Sequence, residues 1–223
     1  MNLNKSLEFF DPEKVKNRRH HIIGCGSIGS NVAELLTRFG IENIVLYDFD
    51  IVESHNIANQ IYTEEDVSYP KTEQLAKILY KINPKLKSTL KIRGKYENQT
   101  LTDYVFMCVD SVEVRQQIVK NNMMNPMIKG IFDFRTTLYE GQCYYADWSK
   151  MREKESLLES LNFTHEEALA NTPVSACGFE LSVAPVVRMT AEWGIVNFTN
   201  LINGVKPKRL ILVNPYSYFY DAM

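Results

Sequence analysis

Apolar residues in the first part of the chain alternate between short continuous runs and stretches where they recur every three or four positions. The first run, residues 20–23, reads as a strand that ends in glycine. In 27–39, Ile28, Val32, Leu35, Leu36 and Phe39 fall on one stripe, which predicts a helix stopped by Gly40. Residues 43–47 predict a second strand ending at Asp48-Phe49-Asp50, 72–82 a helix closed by Asn83-Pro84, and 88–93 a weaker strand. A strong strand over 105–109, a helix over 111–123 and a strand over 127–132 follow. Such alternation predicts an α/β fold with a mostly parallel sheet, helices on both faces and right-handed connections.

After Asp133 the pattern changes. Residues 136–145 predict an antiparallel strand, with Tyr139, Tyr144 and Tyr145 as sheet residues. Residues 149–171 are polar and helical, Thr164-His165-Glu166-Glu167 can form a capping box, and Pro173 breaks the run. A long apolar helix to 202, a strand over 209–213, a turn at Asn214-Pro215 and a strand over 216–220 predict a hairpin on the sheet edge. The least apolar long stretch, 147–176, is expected to be mobile or partner-facing. One domain is expected over 1–223, with a nucleotide-binding half at 1–133 and the antiparallel strands, crossover segment and final helix and hairpin at 134–223.

Composition narrows the classes. With 223 residues, 45% hydrophobic and 23% charged, a buried core is expected rather than disorder. Lys plus Arg number 25 and Asp plus Glu 27, so the net charge of −2 gives no bulk attraction to nucleic acid or an anionic membrane. Residues 1–19 have no apolar signal-peptide region, and the apolar stretch 179–202 carries Glu180, Arg188 and Glu192, which suit a buried helix rather than a bilayer span. Cys25, Cys108, Cys143 and Cys177 form no CxxC pair, so no zinc site is expected and reduced, cytoplasmic thiols are.

Chemistry enters at Gly24-Cys25-Gly26-Ser27-Ile28-Gly29, a G-x-G-x-x-G joining a strand to a helix. Its glycines permit a tight turn and let backbone N–H groups approach a phosphate at the helix N-terminus, the signature of a Rossmann-like nucleotide site. Asp48 stands 19 residues beyond Gly29 (48 − 29) at the end of the second strand, where an acid accepts hydrogen bonds from ribose hydroxyls. An NAD enzyme and an ATP-using enzyme fit these features equally well.

Further motifs follow in order: Asp48-Phe49-Asp50-Ile51-Val52, then Asn56 to Gln60, then Lys71 opening a helix after Tyr69-Pro70, then Cys108-Val109-Asp110-Ser111 with Arg115 five residues past the aspartate. Together they resemble the ThiF/MoeB/HesA family of adenylyltransferases, which activate ubiquitin-like proteins and related substrates. The match runs from Ile22 to Arg115 and continues more weakly through Gly141-Gln142 and Cys177. The resemblance implies ATP- and Mg²⁺-dependent activation of a carboxylate as an acyl-adenylate with release of pyrophosphate. The substrate would be the C-terminus of a ubiquitin-like or sulfur-carrier protein, and the protein a homodimer. It assigns Gly24, Gly26, Ser27 and Gly29 to the phosphates, Asp48 to the ribose, and Asn56, Asn59 and Gln60 to the nucleotide.

Physical chemistry agrees. Lys71 at a helix start adds its ammonium to the helix-dipole field. Asp110, at the crevice end of a parallel strand, suits Mg²⁺, which takes one or two carboxylates plus phosphate oxygens. Asp50 can help hold the metal or order the loop. A substrate carboxylate is already ionised, so no protein base is needed.

Some positions depart from the family pattern. Asn59 stands where the family has an arginine, and an amide cannot replace a guanidinium fork. The family's N-terminal arginine segment is absent, and Arg18 and Arg19 abut the first strand. Arg135, after a strand end, is the candidate to reach the crevice instead. Cys177 is the position where relatives carry an acyl-accepting or persulfide cysteine, with a small buried thiol as the alternative. Two other readings stay open: a nucleotide-binding scaffold without catalysis, motivated by Asn59, and an NAD-dependent oxidoreductase, for which Lys71 and Asp110 have no use. Cys25, Cys108, Cys143, His20 and His21 are expected in the core or at its rim, Arg115 paired with a nearby acid, and His55 in a loop-ordering hydrogen bond.

Overall fold

A computed structural model describes residues 1–164, 166, 167, 173 and 181–223. Its frame is one eight-stranded sheet. The strands are β1 His20–Ile23, β2 Ile44–Tyr47, β3 Lys91–Arg93, β4 Asp103–Met107, β5 Ile128–Thr136, β6 Gly141–Asp147, β7 Leu210–Asn214 and β8 Phe219–Ala222. Their order is β3-β2-β1-β4-β5-β6-β7-β8. Pairings from β3 to β5 are parallel, and those from β5 to β8 antiparallel. The expected α/β class, mostly parallel sheet and antiparallel C-terminal strands are all present.

The helices are α1 Ser27–Arg38, α2 Lys71–Ile82, α3 Leu86–Thr89, α4 Val112–Asn122, α5 Met151–Glu159 and α6 Ala184–Ile202. Side chains alternate across a strand, so each strand feeds two cores. Ile22, Leu46, Phe106, Phe132 and Phe134 meet α1, α2 and α6 on one face. Ile23, Val45, Val105, Met107 and Ile131 meet α4 and α5 on the other. Phe198 of α6 sets its ring edge-on to Tyr104, Phe106 and Phe132, with centroids 5.1 to 5.7 Å apart. Among the described residues no helix is long and apolar enough to cross a membrane.

Several boundaries differ from the sequence expectation. The strand expected from 88 starts only at Lys91, because the turn at Asn83-Pro84 nucleates α3 and buries Leu86. The strand expected over 136–145 is a hairpin. Thr137 and Glu140 close its turn with N–H···O bonds of 2.8 and 3.2 Å, which takes Tyr139 out of the sheet. Of the helix expected over 149–171, α5 covers Met151–Glu159. The capping box does form: Thr164 N–H donates to Glu167 Oε2 at 2.7 Å and Glu167 N–H to Thr164 Oγ1 at 3.1 Å. The final strand is β8, starting at Phe219 rather than 216.

His20 and His21 are fully buried in the sheet. Burial pushes each imidazole down to about 4. An unfolded chain takes up protons at these rings near pH 6.5, whereas the folded chain resists until about pH 4. Stability therefore falls as pH drops through that window, by on the order of 3 kcal/mol per ring at the acid end. Melting curves at stepped pH should show this loss, and His20→Phe should remove about half of it, leaving the part due to His21. A melting temperature level across the window would refute the assignment.

Candidate functional site

The parallel part of the sheet reverses its order at β1, between β2 and β4. At such a switch point the connections leave in opposite directions and open a crevice at the strands' C-terminal ends. The turn after β1 carries the glycines, the end of β2 carries Asp48 and Asp50, and the end of β4 carries Asp110.

Gly24 has φ +92°, and a Cβ there would lie 2.8 Å from the Cys108 carbonyl. A Cβ on Gly29 would collide with the Gly24 carbonyl oxygen. Both glycines are thus required by the turn itself, which lies hard against the end of β4. Gly26 differs: a Cβ there would meet nothing within 4 Å. The space before the α1 N-terminus, where backbone N–H groups lack helical partners, is open.

Asp48 ties this turn to the next one. Its Oδ2 accepts from Cys25 N–H at 2.6 Å and its Oδ1 from Asp50 N–H at 2.8 Å. Burial pushes the carboxyl up, opposed by those two amide bonds. Each oxygen keeps a second lone pair for a hydroxyl donor. Tyr62, buried, sets its hydroxyl 2.7 Å from the Cys25 carbonyl and 3.2 Å from that of Lys71, bracing the glycine turn against the start of α2. Sequence reading missed Tyr62; its only signal is a tyrosine two residues past Gln60.

Lys71 is the first residue of α2, and its backbone N–H donates to the Asp50 carbonyl at 2.9 Å. Its ammonium lies 3.0 Å from Asp50 Oδ2, with the lysine side chain 10% exposed and the aspartate 49%. A nearly buried cation is thus held by an accessible carboxylate, an arrangement a phosphate can compete with. Asp50, read as metal ligand or loop-orderer, is engaged in ordering.

The 3-10 turn Ser54–Ala58 holds Asn56, and Asn59 and Gln60 follow it. Asn56 is buried, and its Oδ1 accepts from Glu53 N–H at 3.0 Å. Asn59 Nδ2 donates to the Ser182 carbonyl at 3.4 Å. Gln60 lines a cleft of about 470 Å³ between α1, α2 and α6, with Asn31, Glu34, Arg188 and Glu192. His55 pairs with Glu53 at 3.2 Å, the loop-ordering contact expected.

Asp110 is exposed beyond β4; its Oδ1 accepts from Ser111 N–H at 2.8 Å, and Ser111 Oγ in turn caps α4. Among the described residues no group of three or more His, Cys, Asp or Glu can hold a metal by itself. Asp110 alone therefore suits only an ion that arrives with other oxygen ligands.

Arg115 pairs with a nearby acid as expected, and the acid is Asp133. Arg135 does not follow a strand end, because β5 runs to Thr136. Its guanidinium is taken up by Asp133 Oδ2 at 2.7 Å and by the carbonyl and hydroxyl of Ser160, both at 2.8 Å. Arg18 pairs with Asp103 at the N-terminal end of β4, the sheet edge opposite the crevice. Burial pushes the Cys25, Cys108 and Cys143 thiols up, so none is a thiolate at neutral pH. Cys177 lies outside the described residues.

Known proteins resemble this chain in sequence and in fold. Molybdopterin-synthase adenylyltransferase from Haemophilus influenzae is 32% identical over 135 residues, spanning 56% of this chain and 55% of that protein. Ubiquitin-like modifier-activating enzyme 5 from Drosophila virilis is 32% identical over 126 residues, spanning 48% of this chain and 31% of that one. The chain thus spans about half and about a third of these relatives' lengths. A crystal structure of E. coli MccB with ATP superposes with a TM-score of 0.71 at 20% identity, over 95% of this chain and 65% of that one, a likeness of fold. The ThiF family model matches residues 5–220, and the chain belongs to the ThiF family.

Proposed function

We propose that the protein uses ATP to adenylate a carboxylate, the C-terminus of a ubiquitin-like, sulfur-carrier or peptide substrate, and releases pyrophosphate. The observation that carries this reading is the crevice edge itself: a nearly buried Lys71 held by Asp50, beside an open Gly26 turn at a helix N-terminus. Support also comes from the relatives named adenylyltransferase and modifier-activating enzyme, and from MccB solved with ATP.

The Gly24–Gly29 backbone would receive phosphate oxygens at the start of α1, and Asp48 a ribose hydroxyl through its remaining lone pairs. Lys71 would exchange Asp50 for the triphosphate, and Asn56 and Asn59 would add neutral donors. Mg²⁺, held by Asp110 and phosphate oxygens, would neutralise charge on the leaving pyrophosphate. The attacking carboxylate needs no deprotonation, so the protein's work is alignment and charge stabilisation. A single domain, a homodimer and a cytoplasmic location complete the proposal.

Gly26→Ala isolates the phosphate cradle. The protein has room for that methyl group, so the variant should melt like the parent, whereas its ATP affinity should fall at least about tenfold by calorimetry. Undiminished affinity would place the phosphates elsewhere.

The test of the reaction is exchange of labelled pyrophosphate into ATP, with small proteins and peptides that end in a free carboxylate. Exchange that Asp110→Ala abolishes supports adenylation. Asn59, in the family arginine's position, favours a second reading, a scaffold that binds ATP without turnover. ATP binding with no exchange across the panel would select it, and preference for NAD over ATP would overturn both.

A further inference from the structure

Asp133 lies at the centre of a chain of polar contacts that the reaction does not use. Its carboxylate is fully buried and meets two guanidinium groups, Arg115 of α4 and Arg135 two residues along β5. Residues two apart on a strand share a face. Here that face is the one covered by α4 and α5. Arg115 also donates to the carbonyl of Val109, the residue before Asp110. Arg135 donates to the Ser160 carbonyl and hydroxyl, at the C-terminal end of α5. Its guanidinium lies 4.2 Å from the Tyr144 ring centroid and 5.8 Å from that of Phe163. Gln116 of α4 adds a bond of 2.7 Å to the Leu161 carbonyl. A continuous path therefore runs from the turn carrying Asp110 to residues 160–163.

Stability alone is a poor account of it. Buried ion clusters are often matched or bettered by apolar side chains of similar volume, and their best-attested use is to fix one geometry. What this cluster fixes is the direction of a carbonyl next to Asp110.

We propose that Arg135 is a positioning residue: through Asp133 and Arg115 it holds the 109–111 turn, and so Asp110, and couples that turn to the end of α5. Its consequence for catalysis rests on the adenylation reading; the mechanical link does not.

Hydrogen–deuterium exchange of the whole protein tests the link directly, in the parent, Arg135→Gln, Arg135→Lys and Ser160→Ala. Arg135→Gln should speed exchange of the 109–115 amides about tenfold and leave β1 unchanged. Ser160→Ala should act in the same direction and more weakly. Arg135→Lys keeps the charge without the fork and should recover only part of the protection. In pyrophosphate exchange, Arg135→Gln should raise the Mg²⁺ needed for half-maximal rate about tenfold, with Mg²⁺-free ATP affinity unchanged. Unaltered protection at 109–115 in Arg135→Gln and Ser160→Ala would overturn the proposal and reduce the cluster to a structural one. Should Arg135→Gln fail to fold, Ser160→Ala decides. If the turn loosens as expected but the parent exchanges no pyrophosphate, the adenylation reading fails and the link stands.

Discussion

Replacing Lys71 by alanine is expected to slow pyrophosphate exchange about a hundred- to a thousandfold, the usual loss when one preorganised electrostatic contact to a developing charge is removed. The side chain is 10% exposed and, among the described residues, its sole acidic partner within salt-bridge distance is Asp50, so few other groups can take over. Lys71→Arg should not rescue, because a planar fork replaces a compact ammonium at a nearly buried position. Asp50→Asn should cost far less, since it removes only the resting partner of the amine. Folding is the necessary control, as Lys71 also begins α2 and its backbone N–H bonds to Asp50. Its ammonium is the side chain's only hydrogen-bonding group, so a melting temperature within a few degrees of the parent is expected. Full exchange activity in a folded Lys71→Ala would remove the lysine from the phosphate site.

The second large effect is on stability. Asp133→Asn keeps the shape but withdraws the negative charge from between Arg115 and Arg135. Removing one partner of a buried ion pair costs about 3–5 kcal/mol, because an uncompensated charge is left behind. For a chain of this size that is a drop of roughly 10 °C in melting temperature or more. The partly exposed pair of Arg18 and Asp103, with the arginine 46% exposed and the aspartate 13%, is the comparison. Asp103→Asn should cost no more than about 1 kcal/mol through that pair. Urea titrations of both variants would measure the contrast, and equal midpoints would show that burial does not set the worth of the Asp133 cluster.

Both predictions bear on what the chain disclosed before its fold was known. The nucleotide-facing half was legible because its signals are local: a glycine pattern between a strand and a helix, an acid at the next strand end, a lysine after Tyr69-Pro70. Each constrains its own backbone, so spacing along the chain carries the geometry. Gly24 and Gly29 illustrate this, since each is required by atoms of the same turn or of the adjoining strand end. The Asp133 cluster was not legible. Arg115, Asp133, Arg135 and Ser160 come from α4, β5 and the residue just past α5, and only the register of β5 with its neighbours unites them. Sequence alone therefore leaves Arg135 free to reach the crevice, whereas β5 continues through it and turns it to the face packed by α4 and α5. The 136–145 segment misled for a related reason. Its hairpin turn contains Leu138 and Tyr139, which look like strand residues, and the hydrogen bonds of Thr137 with Glu140 that close it have no distinctive dipeptide. Tyr62, whose one hydroxyl braces two loops, was equally hidden in an unremarkable position.

The most direct test of carboxylate adenylation follows the oxygen atoms. A small protein or peptide that supports pyrophosphate exchange is labelled with ¹⁸O in its C-terminal carboxylate and incubated with ATP, Mg²⁺ and a nucleophile that cleaves the acyl product. Attack of that carboxylate on the α-phosphorus, followed by cleavage at the acyl carbon, leaves one ¹⁸O in AMP, and mass spectrometry should find it there. Label in inorganic phosphate, with ADP as the nucleotide product, would mean attack at the γ-phosphorus and would contradict the account.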